Sequence, residues 1–386
     1  MQRLDHRPGE ERLLTTADAL GHSAFPGAAY TGPTDAQGLD RGTGQTKDRF
    51  IFLDELRGIA ALSVVLLHAS QLFGFRLTSQ ASLAVDFFFC LSGFVLANGY
   101  DQKLRSGLLN RVFLLKRAVR LYPLIVVGVA LGAFAALVPT PVVPLTDIFV
   151  LTVGALLLLP LGLLVGQDAF AINNPLWSLC FEMVASVVYG SAARRNIHFW
   201  FEIAILVAMA IALFHVVTIE GGIGPVGFAS WRAFLGGFVR VGFSFLAGVL
   251  IFRWNINHRI RAVPPQIPFF VLVGVLFIPF PVQGSMYDFI CITVVLPVVV
   301  ASAAAVTSYE KRPFAAYLGQ LSYPVYIIHQ PIIRLGAQFQ TLTDGFIPWP
   351  ITVCCTLFAA VGVAHILYVC YDAPVRAYLG RKFSLN

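Results

Sequence analysis

The chain has 386 residues, of which 57% are hydrophobic and 12% charged, with a formal net charge of +7. A soluble globular domain carries about 25% charge, so this composition excludes a soluble protein and requires a polytopic membrane protein. The apolar runs are long and continuous rather than alternating over about ten residues, which excludes a β-barrel. The basic residues sit in short connections between those runs, where bilayer orientation accounts for them and nucleic acid need not.

Residues 1–48 hold no apolar run and read as a disordered cytoplasmic tail; they lack the h-region of a signal peptide. A membrane domain is expected over 49–380, with a cytoplasmic tail at 381–386. Its apolar runs fall near 56–74, 82–100, 122–138, 147–165, 176–193, 199–217, 236–252, 268–283, 288–307, 320–336 and 350–370. Eleven crossings conflict with the charges. Counting forward from a cytoplasmic N-terminus places the basic stretch 101–120 inside. Counting back from Arg376, Arg381 and Lys382 places Lys311, Arg312, the Arg253–Arg261 connection and Arg194-Arg195 inside as well. The two counts differ by one crossing between 121 and 165. The positive-inside rule therefore predicts about ten net transmembrane helices, with the proline-broken 122–165 region crossing once and partly re-entrant. Both termini are then cytoplasmic and 166–175 lies outside. Only Arg76, Arg232, Arg240 and Arg334 of the later basic residues lie toward the outside. The expected fold is an all-α polytopic bundle around a central polar cavity.

The stretch Phe52 to His68 organises the chemistry. It begins with Asp54, Glu55 and Arg57, turns apolar, and ends on a histidine. Arg57 and His68 are separated by about 16 Å along a helix, roughly half of a ~30 Å hydrocarbon core. An ionisable group at that depth faces a cavity or a partner. Asp86, early in the second run, is a second intramembrane acid, and a carboxylate near His68 would hold its tautomer and raise its basicity, as a general base needs. The other reading is a polar pair that ties two helices together. Ser92-Gly93 allows close helix approach. Arg117 and Arg120 share a helical face, where two guanidiniums suit a diphosphate or simply anchor the cytoplasmic surface. Asn173 to Glu182 opens a run from the outer side. Glu182 is a deep acid for sugar binding or proton handling, Trp177 could stack on a pyranose ring, and both are expected near the outer mouth of the cavity. His329, with Tyr323 and Tyr326 before it and Pro331 after it, matches the depth of His68; it is either a cavity residue or a core histidine bonded to another helix. His215 and His365 read as structural. The six cysteines (Cys90, Cys180, Cys291, Cys354, Cys355, Cys370) lie in apolar runs without zinc-ligand spacing. No metal site, Gly-rich phosphate loop or Gly-x-Ser-x-Gly elbow is present, and no internal repeat is evident.

Six blocks in order carry a resemblance. They are Leu53-Asp-Glu-Leu-Arg57-Gly58 running to His68; Val85-Asp86-Phe-Phe-Phe with Ser92-Gly93-Phe94; Arg117-x-x-Arg120-Leu-Tyr-Pro123; Trp177-Ser-Leu-x-x-Glu182; Ser322-Tyr323-Pro-x-Tyr-x-x-His329; and Asp372-Ala-Pro374-Val-Arg376. Together they resemble the membrane-bound acyltransferase-3 family over about residues 50–380. The chain departs from it at Glu55, where the family usually has Gly, and at Asp372, where it usually has Glu. The resemblance implies a bacterial inner-membrane O-acyltransferase that moves an acyl group, acetyl by analogy, from cytoplasmic acetyl-CoA to a glycan or exopolysaccharide precursor. No resident cofactor is implied. His68, Asp86 and Glu182 become the expected catalytic residues, and Arg57, Arg117 and Arg120 the expected acyl-CoA ligands. Trp177, Ser178, Tyr323 and His329 become acceptor or cavity residues. His68 serves as base or as a transiently acylated nucleophile. The rival reading is a secondary transporter or flippase of a lipid-linked glycan or organic acid. That class often shows repeat-related halves with broken helices, and none is visible here.

Overall fold

The computed structural model describes residues 50–75, 80–139, 141, 143–195, 198–261, 263–278, 284–306, 313–343 and 346–385. The expected N-terminal tail, and Arg76, Lys311 and Arg312 from the charge count, lie outside these residues. Among the described residues there are helices and connections but no strands. The helices in chain order are α1 Ile51–Phe73, α2 Ala84–Arg105, α3 Asn110–Leu137, α4 Leu145–Leu157, α5 Leu176–Ala192, α6 Phe199–Glu220, α7 Trp231–Arg253, α8 Gln266–Phe277, α9 Ser285–Ala304, α10 Pro313–Leu342 and α11 Trp349–Lys382. Short helical turns, such as Ile256–Arg259, join some of them. α9 and α11 each contain a π-turn, at Cys291–Val295 and Tyr368–Asp372.

Every apolar run read from the sequence has its helix, and the chain is an all-α membrane protein. Among the described residues, six helices are both long and apolar enough to cross a bilayer: Ala81–Arg105, α3, α6, α7, α9 and α11. The thirteen residues of α4 span only about 20 Å, short of a ~30 Å hydrocarbon core. The basic stretch 101–120 is not a loop. α2 runs to Arg105 and α3 starts at Asn110, so Arg111, Lys116, Arg117 and Arg120 all ride on α3. Long basic side chains can keep their heads in water while their stems continue an apolar helix. The terminal helix likewise runs through Lys382, past the boundary expected at 380.

Two helix pairs form the frame: α1 lies along α10, and α2 along α7. Lipid is as apolar as leucine, so close van der Waals contact at small residues replaces the hydrophobic drive. A methyl group at Gly93 would collide with the Phe245 carbonyl, and one at Gly248 with the Cys90 carbonyl. That confirms the close approach expected at Ser92-Gly93. Gly58 meets Leu318 and Gly319 meets Asp54. Further along, His68 meets His329. α1 and α10 therefore run parallel.

α10 passes through Pro324 and Pro331 without ending. Proline has no N–H, so Pro331 leaves the Ile327 carbonyl without its helical donor. Asn173 supplies one: its side-chain amide donates to Ile327 O at 2.9 Å. The amide fits because Gly128 on α3 has no side chain to meet it.

The largest fully buried side chain is Arg240. All five of its N–H groups are used. Nε donates to Asp86 Oδ1 at 3.0 Å and Nη2 to Asp86 Oδ2 at 2.7 Å, Nη1 donates to the carbonyls of Ile223 and Val226, and Nη2 also donates to Ser82 O. The ring of Trp177 lies 5.0 Å from the guanidinium carbon. Breaking a buried pair strands the remaining charge, whereas replacing both partners can be nearly neutral. We expect Arg240→Met to destabilise the protein by ~3–5 kcal/mol, with Asp86→Leu added to it recovering most of the loss, as read from thermal melting of the detergent-solubilised single and double variants.

Candidate active site

His68 lies on α1 and is partly accessible, whereas His329 on α10 is fully buried. His329 Nδ1 is 3.1 Å from Val325 O, and His68 Nδ1 is 3.0 Å from Val64 O. A carbonyl only accepts, so both Nδ1 atoms carry hydrogen. His329 Nε2, 3.2 Å from His68 Nδ1, must then accept from it. Each imidazole has one proton when neutral, so the lone pair of His68 is left on Nε2. Among the described residues that nitrogen has no partner. The arrangement presents a base with a fixed tautomer, and the neutral ring behind it is poised to stabilise the imidazolium formed when Nε2 takes a proton.

The chain of contacts continues. Tyr326 lies against His329, with ring centroids 5.9 Å apart. Its hydroxyl is 2.8 Å from Ser178 Oγ. Ser178 donates its single proton to Pro175 O, so Tyr326 is the donor of that pair. Tyr323, one turn before Tyr326, donates to Leu121 O on α3 at 2.6 Å.

A cationic cluster lies near the first turns of α1. Arg57, Arg117 and Arg376 all lie within electrostatic reach of Arg120. Arg57 contacts Asp54 at 3.4 Å, Arg117 pairs with Glu182, and Arg376 pairs with Asp372 at 2.8 Å. Ser92 Oγ also donates to Glu182 at 3.0 Å. Four guanidiniums thus face three carboxylates, and among the described residues Arg120 has no ion-pair partner. Its side chain is accessible although α1, α3, α5 and α11 surround it with charge. It therefore lines an opening into the bundle. Arg57 and His68 are about 16 Å apart along α1.

On the other side of the histidines is a cleft of about 680 Å³. Gln330, Arg334 and Gln338 of α10 line it, together with Asn174, Asp168, Gln167 and Trp231. Along α10, Gly319 lies by the cationic cluster, His329 in the middle, and the cleft beyond it.

Several expected placements need correction. Asp86 does not orient His68: both its oxygens are taken by Arg240, and the ring that bonds His68 is His329. Glu182 is not at the outer mouth, because Arg117 draws it into the cationic cluster. Trp177 is only 5% exposed, enclosed by Arg240, Phe89, Phe181 and Phe228. A methyl at Gly227 would already strike its ring, so no face is left for a sugar. Arg240 does not serve as an outer surface charge. Ser178 bonds Tyr326, Tyr323 bonds the α3 backbone at Leu121, and His329 bonds His68. Asp372 and Arg376 were present in the sequence motif without a role, and their four-residue spacing at the end of a deep apolar run was the available signal.

The sequence matches the model of the acyltransferase-3 acyltransferase domain over residues 50–369. The chain belongs to the acyltransferase-3 family. It is also 44% identical over 162 residues to a Rhizobium radiobacter protein described as "Protein 2 in picA locus", a match covering 38% of this chain and 84% of that one. No solved structure matches at a significant level. This acyltransferase-3 chain is a multi-pass membrane acyltransferase.

Removing the acceptor behind His68 should slow the chemistry without weakening donor binding. A hydrogen bond to a charged group contributes ~1.5–3 kcal/mol. His329→Leu should therefore lower kcat by about 10- to 100-fold and leave the donor KM near its starting value. His329→Gln, which keeps a side-chain acceptor, should recover part of the rate. Steady-state kinetics of acyl transfer on the purified variants check both.

Proposed function

We propose that this chain is an O-acyltransferase that moves an acyl group, acetyl in the simplest case, from cytoplasmic acyl-CoA to a hydroxyl of a glycan or exopolysaccharide precursor. The observation that carries this reading is that His68, whose Nε2 has no partner among the described residues, lies along α1 and α10 between a cationic cluster and a polar cleft. A charged CoA cannot enter hydrocarbon, so its phosphates stay with the guanidiniums while the pantetheine arm carries the thioester inward. Arg120 is the guanidinium open to a phosphate, with Arg57 and Arg376 beside it. Glu182 holds Arg117 in place. This shifts the expected division of labour: Arg117 acts chiefly through its ion pair, and Glu182 orders the donor site.

The acceptor hydroxyl arrives from the cleft. Its oxygen attacks the thioester carbonyl while His68 Nε2 takes its proton. The tetrahedral intermediate collapses, the C–S bond breaks, and His68 returns the proton to the leaving thiolate. The products are the O-acyl ester and CoASH. Transient acylation of Nε2 followed by transfer to the hydroxyl gives the same balance. The positive-inside charge pattern supports both termini in the cytoplasm, the cationic cluster facing the cytoplasm and the cleft facing out, in what the family resemblance implies is a bacterial inner membrane.

His68→Ala should lower kcat by ~10²–10⁴-fold, the usual contribution of a positioned general base, while the protein inserts and accumulates normally. Arg120→Ala should raise the acetyl-CoA KM with kcat largely kept, and Arg120→Lys should restore only part, because an ammonium cannot form the guanidinium's forked bonds. CoASH release from acetyl-CoA by the purified protein, with acceptor present, measures all three. Near-normal turnover in His68→Ala removes the base from the mechanism. An unchanged acetyl-CoA KM in Arg120→Ala removes the donor site from the cluster.

A further inference from the structure

Gln330, Arg334 and Gln338 follow one another at four-residue spacing on α10, so they form one stripe facing the cleft. Each makes one bond to a neighbouring backbone. Gln330 Oε1 accepts from Asn174 N at 2.8 Å, Arg334 Nη2 donates to Ala171 O at 2.9 Å, and Gln338 Nε2 donates to Ala135 O at 2.9 Å. What remains is a set of unused groups. The Gln338 and Asn174 side-chain oxygens are buried and have no hydrogen-bond partner among the described residues. Among the described residues, the other N–H groups of Arg334 and the amide N–H groups of Gln330 are also unmatched. Arg334 is partly buried and has no ion-pair partner among the described residues; Asp168, on the same cleft, does not come within bonding distance of it. A guanidinium held off bulk water without a counter-charge is unfavourable, and the deficit is removed by an anion. Arginine is also the side chain whose planar fork matches a carboxylate or a phosphate. The unused amide groups suit hydroxyls, which both donate and accept. Trp231, exposed at the cleft, adds an aromatic face.

The cleft reaches Gln330, the residue after His329. Arg334 lies only about 7.5 Å further along the helix than His329. An anionic group seated on Arg334 would hold its sugar at the end of the cleft nearest the histidines. The volume, about 680 Å³, lies within the ~300–1,000 Å³ usual for small-molecule sites.

We propose that this cleft is the acceptor site and that it selects a sugar bearing an anionic group, with Arg334 pairing the anion and Gln330, Gln338 and Asn174 binding its hydroxyls. This rests on the acyl-transfer reading above and adds the chemical class of the acceptor. Two sources of the anion, a uronic-acid carboxylate and a sugar phosphate, are separated by the choice of probe.

The test uses the full-length protein in detergent with three matched probes: methyl β-D-glucopyranoside, its uronic acid, and its 6-phosphate. Direct binding by saturation-transfer NMR needs no turnover, so it decides the proposal even if none of the three is acylated. The wild-type protein should bind at least one anionic probe about tenfold or more tightly than the neutral glucoside, and Arg334→Gln should abolish that preference while leaving the glucoside signal and acetyl-CoA binding unchanged. Arg334→Lys keeps a cation and a donor for Ala171 and should retain part of the preference; it also serves if the glutamine variant fails to fold. Where turnover is seen, the same pattern should appear in the acceptor KM and not in kcat. Equal binding of all three probes by the wild-type protein overturns the proposal. So does an equal loss of neutral and anionic binding in both Arg334 variants, which would make the residue an anchor for the turn at Ala171. Failure of acetyl-CoA to bind or to release CoASH with any acceptor counts against the acyl-CoA reading, whereas the probe preference is decided separately by the binding measurement.

Discussion

The hydrogen bond between His68 and His329 is the contact on which the rest of the site depends. It requires two helices distant in sequence to run parallel and close, with both rings at one level. The close approach of α1 and α10 at Gly58 and Gly319 sets the separation. The two carbonyls of Val64 and Val325 set the ring orientations by taking both Nδ1 protons. Nothing charged is needed to hold the base in its reactive tautomer. A carboxylate behind the histidine would bring a second ion into the bundle, with its own desolvation penalty. A neutral imidazole gives the same orientation without one.

Within a bilayer every polar group must find a partner inside the protein. Arg240 finds an acceptor for each of its five N–H groups. Such completeness marks structure. Asp86 and Arg240 are a closed unit, and closed units have nothing left to offer a ligand. Among the described residues the incomplete sets fall elsewhere: Nε2 of His68, the guanidinium of Arg120, Arg117 Nε, Asp372 Oδ1, and the side-chain oxygens of Gln338, Asn174, Asn173 and Asn110. Asn110 apart, these fall by the cationic cluster, at the histidines, or on the 173–174 turn and the cleft.

Much of this was legible in the sequence, and the parts that were not share a cause. The helix positions were readable because apolar length is a local property. His68, Glu182 and His329 could be singled out because deep ionisable residues are unfavourable without a partner, and Arg117 and Arg120 because their spacing puts them on one helical face. Pairing is a tertiary property and was not. Asp86 looked like the partner of His68 because it sits early in the next helix, yet α2 packs on α7 and hands the carboxylate to Arg240. Trp177 looked like an interfacial aromatic because it opens a helix after a polar stretch. The 221–230 turn folds over it, and only the fold shows that. Arg334 drew attention solely as a charge in a topology count, because its value lies in having no counter-ion, and that is invisible until its neighbours are placed.

α10 gives the arrangement its polarity. Its first half lies by the arginines, its second half lines the cleft, and His329 stands between them. The prolines fall within the stretch that separates the two halves, at Pro324 and Pro331. A helix that loses a backbone bond at Pro331 must recover it from a neighbour, and the neighbour is the 171–174 turn, where Asn173 donates to Ile327 O and the Asn174 N–H also donates to the Gln330 side chain. The same turn carries Ala171, which receives Arg334. Proline in α10 thus couples the helix to the segment that forms the opposite wall of the cleft. A change in the cleft that moved this turn would act on the backbone two residues before His329, and so on the ring that fixes the tautomer of His68.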